Sequence, residues 1–147
     1  MRRFELITKY KKEDIALPKR ATSLSAGYDL ASIEVVTINP GEIKLVPTGL
    51  RVKMLKNEVM LVFPRSSLAI KRGLMMSNSV GVIDADYYFA ENEGHIMIPL
   101  LNISKEAVTI QKGERIAQGI FTNYFKTSDD ETDDSIQRLG GFGSSGI

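Results

Sequence analysis

The chain has no cysteine among its 147 residues. That excludes a disulfide framework and a thiolate zinc centre, both of which need sulfur. Histidine is almost as scarce, with His95 the only one. A single imidazole cannot form a histidine metal cluster, and a Ser-His-Asp triad would have to be built on that residue. No G-x-S-x-G elbow lies nearby, and His95 falls in an apparent strand, so it reads as structural. Charge of one sign is lacking too: the formal net charge is +1, which favours neither nucleic acid nor an anionic membrane as a partner. Long apolar runs are missing as well. The opening MRRFELITKYKKED has no signal-peptide core, and no stretch approaches a membrane span. These absences predict a soluble domain working in the cytoplasm.

What is present suits one globular unit, since a single core commonly organises ~100–150 residues. The hydrophobic share of 43% is ordinary for a folded chain and too high for a disordered one. Short runs rich in β-branched residues recur between turn signals: RFELI, IEVVTI, IKLVPTGLRVKM, EVMLVF, SNSVGVI, HIMIPLLNI, VTI and RIAQGIFTNYF. They read as strands. Asn39-Pro40-Gly41-Glu42, Leu55-Lys56-Asn57 and Gln111-Lys112-Gly113-Glu114 supply turns between them. Only SSLAIKRG reads as a helix, with Ser66 or Ser67 as its cap and Gly73 as its end. No internal repeat is visible. Many short strands with one short helix predict an all-β fold, either a barrel or a double-sheet jelly roll. The expected organisation is a β domain over 1–126, an acidic solvated linker over 127–137 (Asp129, Asp130, Glu131, Asp133, Asp134) and a glycine-rich segment over 138–147.

Four stretches carry candidate chemistry. Gly141-Phe142-Gly143-Ser144-Ser145-Gly146 matches the dinucleotide fingerprint, but that motif needs a following helix, for which no chain remains. Consecutive glycine and serine amides can still wrap phosphate oxygens, and the alternative is a frayed tail. Pro64-Arg65-Ser66-Ser67 offers a cation, hydroxyls and helix N-terminal amides that suit phosphate; the alternative is an ordinary helix cap with a surface arginine. Asp84 and Asp86 are two apart and face one side of an extended chain, where one carboxylate can serve as general base; they could equally be a strand-end turn pair. Tyr87 adds a flat ring beside them, or simple packing. Ala26-Gly27-Tyr28-Asp29-Leu30 places another acid after a glycine, and alone it is only a turn entering a strand.

Taken in order, these stretches resemble the five motifs of the trimeric dUTPase family: AGYDLAS at 26–32, PRSSL at 64–68, NSVGVIDADY at 78–87, GERIAQ at 113–118 and RLGGFGSSG at 138–146. The resemblance spans nearly the whole chain. It implies a jelly-roll-like subunit, a homotrimer with sites shared between subunits, and Mg²⁺-dependent hydrolysis of dUTP to dUMP and pyrophosphate. By the same resemblance, Asp84 activates the attacking water, and Tyr87 lies under the deoxyribose and leaves no room for a 2′-hydroxyl. The hairpin from Asn78 through Gly81, Val82 and Ile83 to Asp84 reads uracil through main-chain groups. Arg65, Ser66, Ser67 and Gln118 hold phosphates. Asp29 orients water on Mg²⁺, which the triphosphate itself chelates. Arg138 reaches the terminal phosphates, Phe142 stacks on uracil, and Gly143, Ser144 and Ser145 close over the phosphates as part of a mobile arm.

Some positions depart from the common pattern. Many members have a short Y-x-G-E step after the tyrosine, whereas here Tyr88-Phe89-Ala90-Glu91-Asn92-Glu93 delays Gly94, as in some Gram-positive relatives. Ser67 stands where many members have glycine, and Ser145 where threonine is usual. Two other functions fit the same fold: deamination of dCTP, and nucleotide sensing by a regulatory binding protein. The first would need polar groups at the base's exocyclic amine, which the sequence does not supply convincingly. The retained Asp84 and arm argue against the second.

Overall fold

The computed structural model describes residues 1–132 and 136–143. Among the described residues eleven strands pair entirely antiparallel. In chain order they are β1 (Arg3–Leu6), β2 (Tyr28–Ala31), β3 (Val36–Ile38), β4 (Ile43–Pro47), β5 (Leu50–Lys53), β6 (Glu58–Pro64), β7 (Leu74–Met76), β8 (Gly81–Asp84), β9 (Met97–Asn102), β10 (Val108–Ile110) and β11 (Arg115–Asn123). The largest sheet has the order β2-β11-β6-β8, the next β4-β9-β7, and two ribbons, β1-β5 and β10-β3, complete the wall. Alternating side chains from these sheets meet in one core: Leu30, Met60, Val62 and Ile116 from the first, Val46, Leu74, Ile98 and Leu100 from the second. This is the layered antiparallel architecture of a jelly-roll-like barrel, as expected. No helix among the described residues is long and apolar enough to cross a membrane.

The one α-helix among the described residues, α1, spans Leu68–Arg72 and ends as predicted at Gly73, which takes a left-handed conformation and donates its amide to Ala69 O at 3.0 Å. The predicted serine cap is not made. Ser67 occupies the capping position with right-handed helical backbone and no side-chain cap bond, because capping requires an extended backbone to turn the hydroxyl toward the following amides. Two 3₁₀ turns, Thr8–Tyr10 and Ala85–Phe89, had no signal in the periodicity.

Three strand predictions need correction. IEVVTI shortens to β3. IKLVPTGLRVKM divides into β4 and β5, which belong to different sheets. Thr48 makes the corner: its hydroxyl donates to Ile96 O at 2.6 Å and accepts from Leu50 N at 3.2 Å, replacing the ladder bonds lost there. SNSVGVI shortens to its last three residues, Gly81–Ile83, at the start of β8, and Ser77–Val80 form the turn before it. Ser79 takes φ 63° in the turn that carries the chain from β7 in the smaller sheet to β8 in the larger.

One polar residue holds the core's rim. Asn102, at the end of β9, is 1% exposed. Its Nδ2 donates to Ile38 O and Glu106 O, both at 2.8 Å, and its Oδ1 accepts from Ser104 N at 2.8 Å and Ser104 Oγ at 2.7 Å. Removing this amide leaves the buried carbonyl of Ile38 without that donor. Asn102→Ala is expected to destabilise the fold by about 2–4 kcal/mol, read as a lower urea midpoint at fixed protein concentration.

Candidate active site

Two groups of the motif residues come together, one along β8 beside β6 and one where β6 ends at Pro64. The first surrounds β8. This strand is the outer member of the largest sheet, so one side of its backbone faces away from β6. The cleft beside it is lined by Asn78, Gly81, Val82, Ile83, Asp84 and Tyr87, with Ile96, Ile98 and Pro99 forming its apolar wall. Arg138, Gly141 and Phe142 also line it, with His95 beside the apolar wall. Phe142 is 63% exposed.

Asp84 and Asp86 do share one side, but not by strand alternation. β8 stops at Asp84, and Asp86 lies in the 3₁₀ turn Ala85–Phe89. The two carboxylates converge because one guanidinium binds both: Arg138 Nη2 donates to Asp84 Oδ2 at 2.5 Å and Nε donates to Asp86 Oδ1 at 2.8 Å. Burial works against the charge on Arg138, but the bond to Asp86 and the two negative charges outweigh it and raise its pKa. Arg138, predicted at the terminal phosphates, thus rests on the carboxylate predicted to be the base.

Tyr87 is 6% exposed. Burial raises its pKa, so it remains a neutral phenol at physiological pH. Its hydroxyl donates to His95 O at 2.7 Å. His95 itself lies in the loop before β9 rather than in a strand, and its Nε2 accepts from Gly49 N at 2.9 Å. Burial lowers the imidazole's pKa, in keeping with the neutral ring that an accepting nitrogen requires. The arm packs onto Tyr87: a β-carbon on Gly141 would stand 3.1 Å from the ring. Leu139 O accepts from Glu91 N at 2.9 Å. Gly143 is described, while Ser144 and Ser145 lie outside the described residues.

The second group joins the first, second and fourth motifs. In the ladder, Gln118 of β11 pairs with Asp29 of β2, and Ala117 pairs with Pro64 of β6. Asp29 sits between two guanidinium groups, Arg65 Nε at 3.4 Å and Arg115 Nη1 at 3.3 Å. Gln118 Nε2 donates to Pro64 O at 3.3 Å. Gly27 is fixed by this packing, since a β-carbon there would lie 2.4 Å from Gln118 Oε1. Ser66 and Ser67 follow Arg65 at the turn into α1. Arg115 was not singled out from the sequence, although it stands inside the fourth motif; only the pairing of β11 with β2 brings it to Asp29.

Asp84 pairs with Val59 on β6, and Arg65 follows the far end of that strand, six residues on from Val59. At ~3.3 Å per residue Asp84 and Arg65 are roughly 20 Å apart along the strand, while Gly81, at the other end of β8, pairs with Val62, three residues before Arg65. No hydrogen bond or ion pair links the two groups among the described residues. Nor do the described residues contain any cluster of three or more His, Cys, Asp or Glu side chains able to cage a metal.

Comparison with known proteins identifies the family. The sequence model of the family described as dUTPase matches residues 13–146. The chain is 49% identical over 147 residues to a deoxyuridine 5′-triphosphate nucleotidohydrolase of Lactococcus lactis, covering 99% of this chain and 98% of the relative. It superposes on the crystal structure of a dUTPase from Streptococcus mutans with a TM-score of 0.82 at 47% identity, covering 85% of this chain and 98% of that one. A dUTPase of Staphylococcus bacteriophage 80alpha, solved with dUpNHpp, matches with a TM-score of 0.71 at 25% identity over 100% of this chain and 99% of that one. The family match over most of the chain, together with the near full-length identity, shows that this chain belongs to the dUTPase family.

Proposed function

We propose that the chain hydrolyses the α–β phosphoanhydride of dUTP, releasing dUMP and pyrophosphate. The observation that carries this reading is the cleft itself: an outer-strand backbone, a buried tyrosine ring and a carboxylate converge on one narrow space. Main-chain groups of Gly81, Val82 and Ile83, with Asn78, would read the uracil edge too closely to admit a 5-methyl group. Tyr87 would lie under the deoxyribose and Phe142 would stack on the base. Asp84 would take a proton from water as that oxygen attacks the α-phosphorus; the bond to the bridging oxygen then breaks and pyrophosphate leaves. Such a transfer depends on in-line positioning and charge neutralisation rather than covalent help.

The phosphates would be held by Arg65, Ser66, Ser67 and Gln118. Arg65 stands roughly 20 Å along the strand from Asp84 of the same chain, which favours a homotrimer whose sites combine groups from different subunits. Arg138 also has to leave Asp84 before the carboxylate can accept a proton, and the terminal phosphates would draw its guanidinium away. In this reading residues 1–126 form the barrel, 127–137 the acidic linker, and 138–147, including Gly143, Ser144 and Ser145, the closing arm.

Mg²⁺ suits this donor set. It favours oxygen ligands, keeps several waters and needs no protein cage when a triphosphate chelates it. Asp29 is the carboxylate within the phosphate group, and its contacts to Arg65 and Arg115 are long enough to yield to a metal-bound water. When bound, the ion would neutralise charge on the phosphate oxygens. A cytoplasmic site of action, without nucleic acid or membrane, completes the reading.

Deamination of dCTP is disfavoured by the apolar wall of Ile96, Ile98 and Pro99. A panel of dUTP, UTP, dTTP and dCTP, scored for pyrophosphate and ammonia, tests the assignment. Strong preference for dUTP with pyrophosphate alone is expected; comparable kcat/KM for dUTP and UTP would refute it, and so would nucleotide binding without turnover. Tyr87→Ala is expected to erode the preference for dUTP over UTP on the order of 10-fold or more, because the steric wall is gone.

A further inference from the structure

The extension after Tyr87, Tyr88 to Gly94, is the main departure from the family pattern, and the reaction as described leaves it without a role. Its structure is a compact loop closed onto Tyr87. Ala90 N donates to Tyr87 O at 3.0 Å. Gly94, at φ 72°, approaches so closely that a β-carbon would stand 2.5 Å from the same oxygen. Asn92 lies at the centre. Its Oδ1 accepts from Gly94 N at 3.1 Å and its Nδ2 donates to Tyr87 Oη at 2.8 Å.

The polarity of this chain is forced at every link. A backbone amide can only donate, so Oδ1 must face Gly94, and that turns the Asn92 amino group toward the phenol. The phenol oxygen therefore accepts from Asn92, and its one proton is free for His95 O, a carbonyl that can only accept. Tyr87 is thus gripped at its outer tip from two sides, while its backbone is held by the loop. A ring pivoting about its side-chain bonds moves most at that tip, so these are the contacts with the greatest leverage over where its face stands.

We propose that Asn92 is a positioning residue for sugar discrimination: by holding the Tyr87 hydroxyl, it fixes the ring at the distance that admits deoxyribose and rejects ribose. The inference rests on the reading of Tyr87 as the wall beneath the sugar. Asn92 touches no substrate and acts only through the tyrosine. Neutrality of the phenol, which burial favours, keeps its proton available to His95 O.

The test compares kcat/KM for dUTP and UTP in Asn92→Asp, Asn92→Ala, Tyr87→Phe, Tyr87→Ala and the double variant Tyr87→Phe/Asn92→Asp. Asn92→Asp preserves the acceptor for Gly94, and with it the loop, but offers the phenol no donor. It is expected to lower the dUTP:UTP ratio about 3- to 10-fold, the scale of one net hydrogen bond, with Asn92→Ala falling at least as far. A purely structural role, or the added charge acting on the triphosphate, would change both substrates together and leave the ratio where it was. In the Tyr87→Phe background there is no hydroxyl left to hold, so the further effect of Asn92→Asp should shrink to within about 2-fold. If Tyr87→Ala erodes the ratio but both Asn92 variants retain it, the positioning role is wrong and the reading of Tyr87 stands. Full additivity in the double variant also overturns the positioning role. An unchanged ratio in Tyr87→Ala removes the sugar wall, and this inference falls with it.

Discussion

Asp84→Asn is expected to lower dUTP turnover by at least ~10²-fold, the scale of losing a general base, while dUTP still binds. The substitution is nearly isosteric and sits at the end of β8, where the side chain is 46% exposed and contributes no core packing. Loss of folding is therefore not the expected cause, and an unchanged thermal transition would show that it is not. The amide cannot take a proton from water at neutral pH, so the chemical step should fail while ground-state contacts from Tyr87 and the β8 backbone persist. Single-turnover mixing with excess enzyme separates the two: formation of the complex should match the unmodified protein, and release of pyrophosphate should not. Asp86 is the internal control, since it binds the same guanidinium but lies on the turn beyond the strand. Near-normal turnover in Asp84→Asn, with loss in Asp86→Asn, would move the base to Asp86.

The pair illustrates how far the sequence could be read. The strand β8 and the presence of two acids beyond GVI follow from local pattern. Their convergence does not, because it is produced by Arg138, more than fifty residues away in the chain. Alternation along a strand describes only one element, and here the element ends between the two acids. Arg115 was missed for a similar reason: nothing in GERIAQ says which residue faces Asp29, whereas the ladder between β11 and β2 decides it. The corner at Thr48 escaped because apolar periodicity runs straight through IKLVPTGLRVKM, and the side-chain bonds that replace the ladder there are tertiary. By contrast, the end of α1 at Gly73 was legible because a left-handed residue at that place is a local requirement. The five motifs were legible as an ordered set, while their division into two groups comes from the strand pairing and from the contacts of Arg138.

Deleting residues 139–147 should leave a folded protein whose turnover is reduced on the order of 10²-fold, the cost of losing precise closure over the substrate. Little stability is at stake: β11 ends at Asn123, Leu139 and Phe142 are exposed, and among the described residues one backbone bond, Glu91 N to Leu139 O, ties the segment to the barrel. Phe142 and the following amides, however, would be absent when the nucleotide is held. The same variant can reveal which subunit each arm serves. In the chain, Arg138 rests on its own Asp84, an arrangement that would occupy the proposed base and so would not be the productive one. The eleven residues 127–137 of the proposed linker would span up to about 36 Å if extended, enough to carry the proposed arm to a neighbouring subunit. An Asp84→Asn subunit keeps its arm, and an arm-deleted subunit keeps Asp84. If sites combine the two from different subunits of the proposed trimer, random exchange in an equal mixture completes roughly a quarter of them, because each part is present with even odds in a closed symmetric ring. The two variants would be co-refolded, mixed oligomers verified by native mass spectrometry, and pyrophosphate release measured. Recovery well above the sum of the separate variants is the expected result. Activity no greater than that sum, with mixed oligomers present, would mean that the arm works on the Asp84 it touches here, and the shared arm would have to be abandoned.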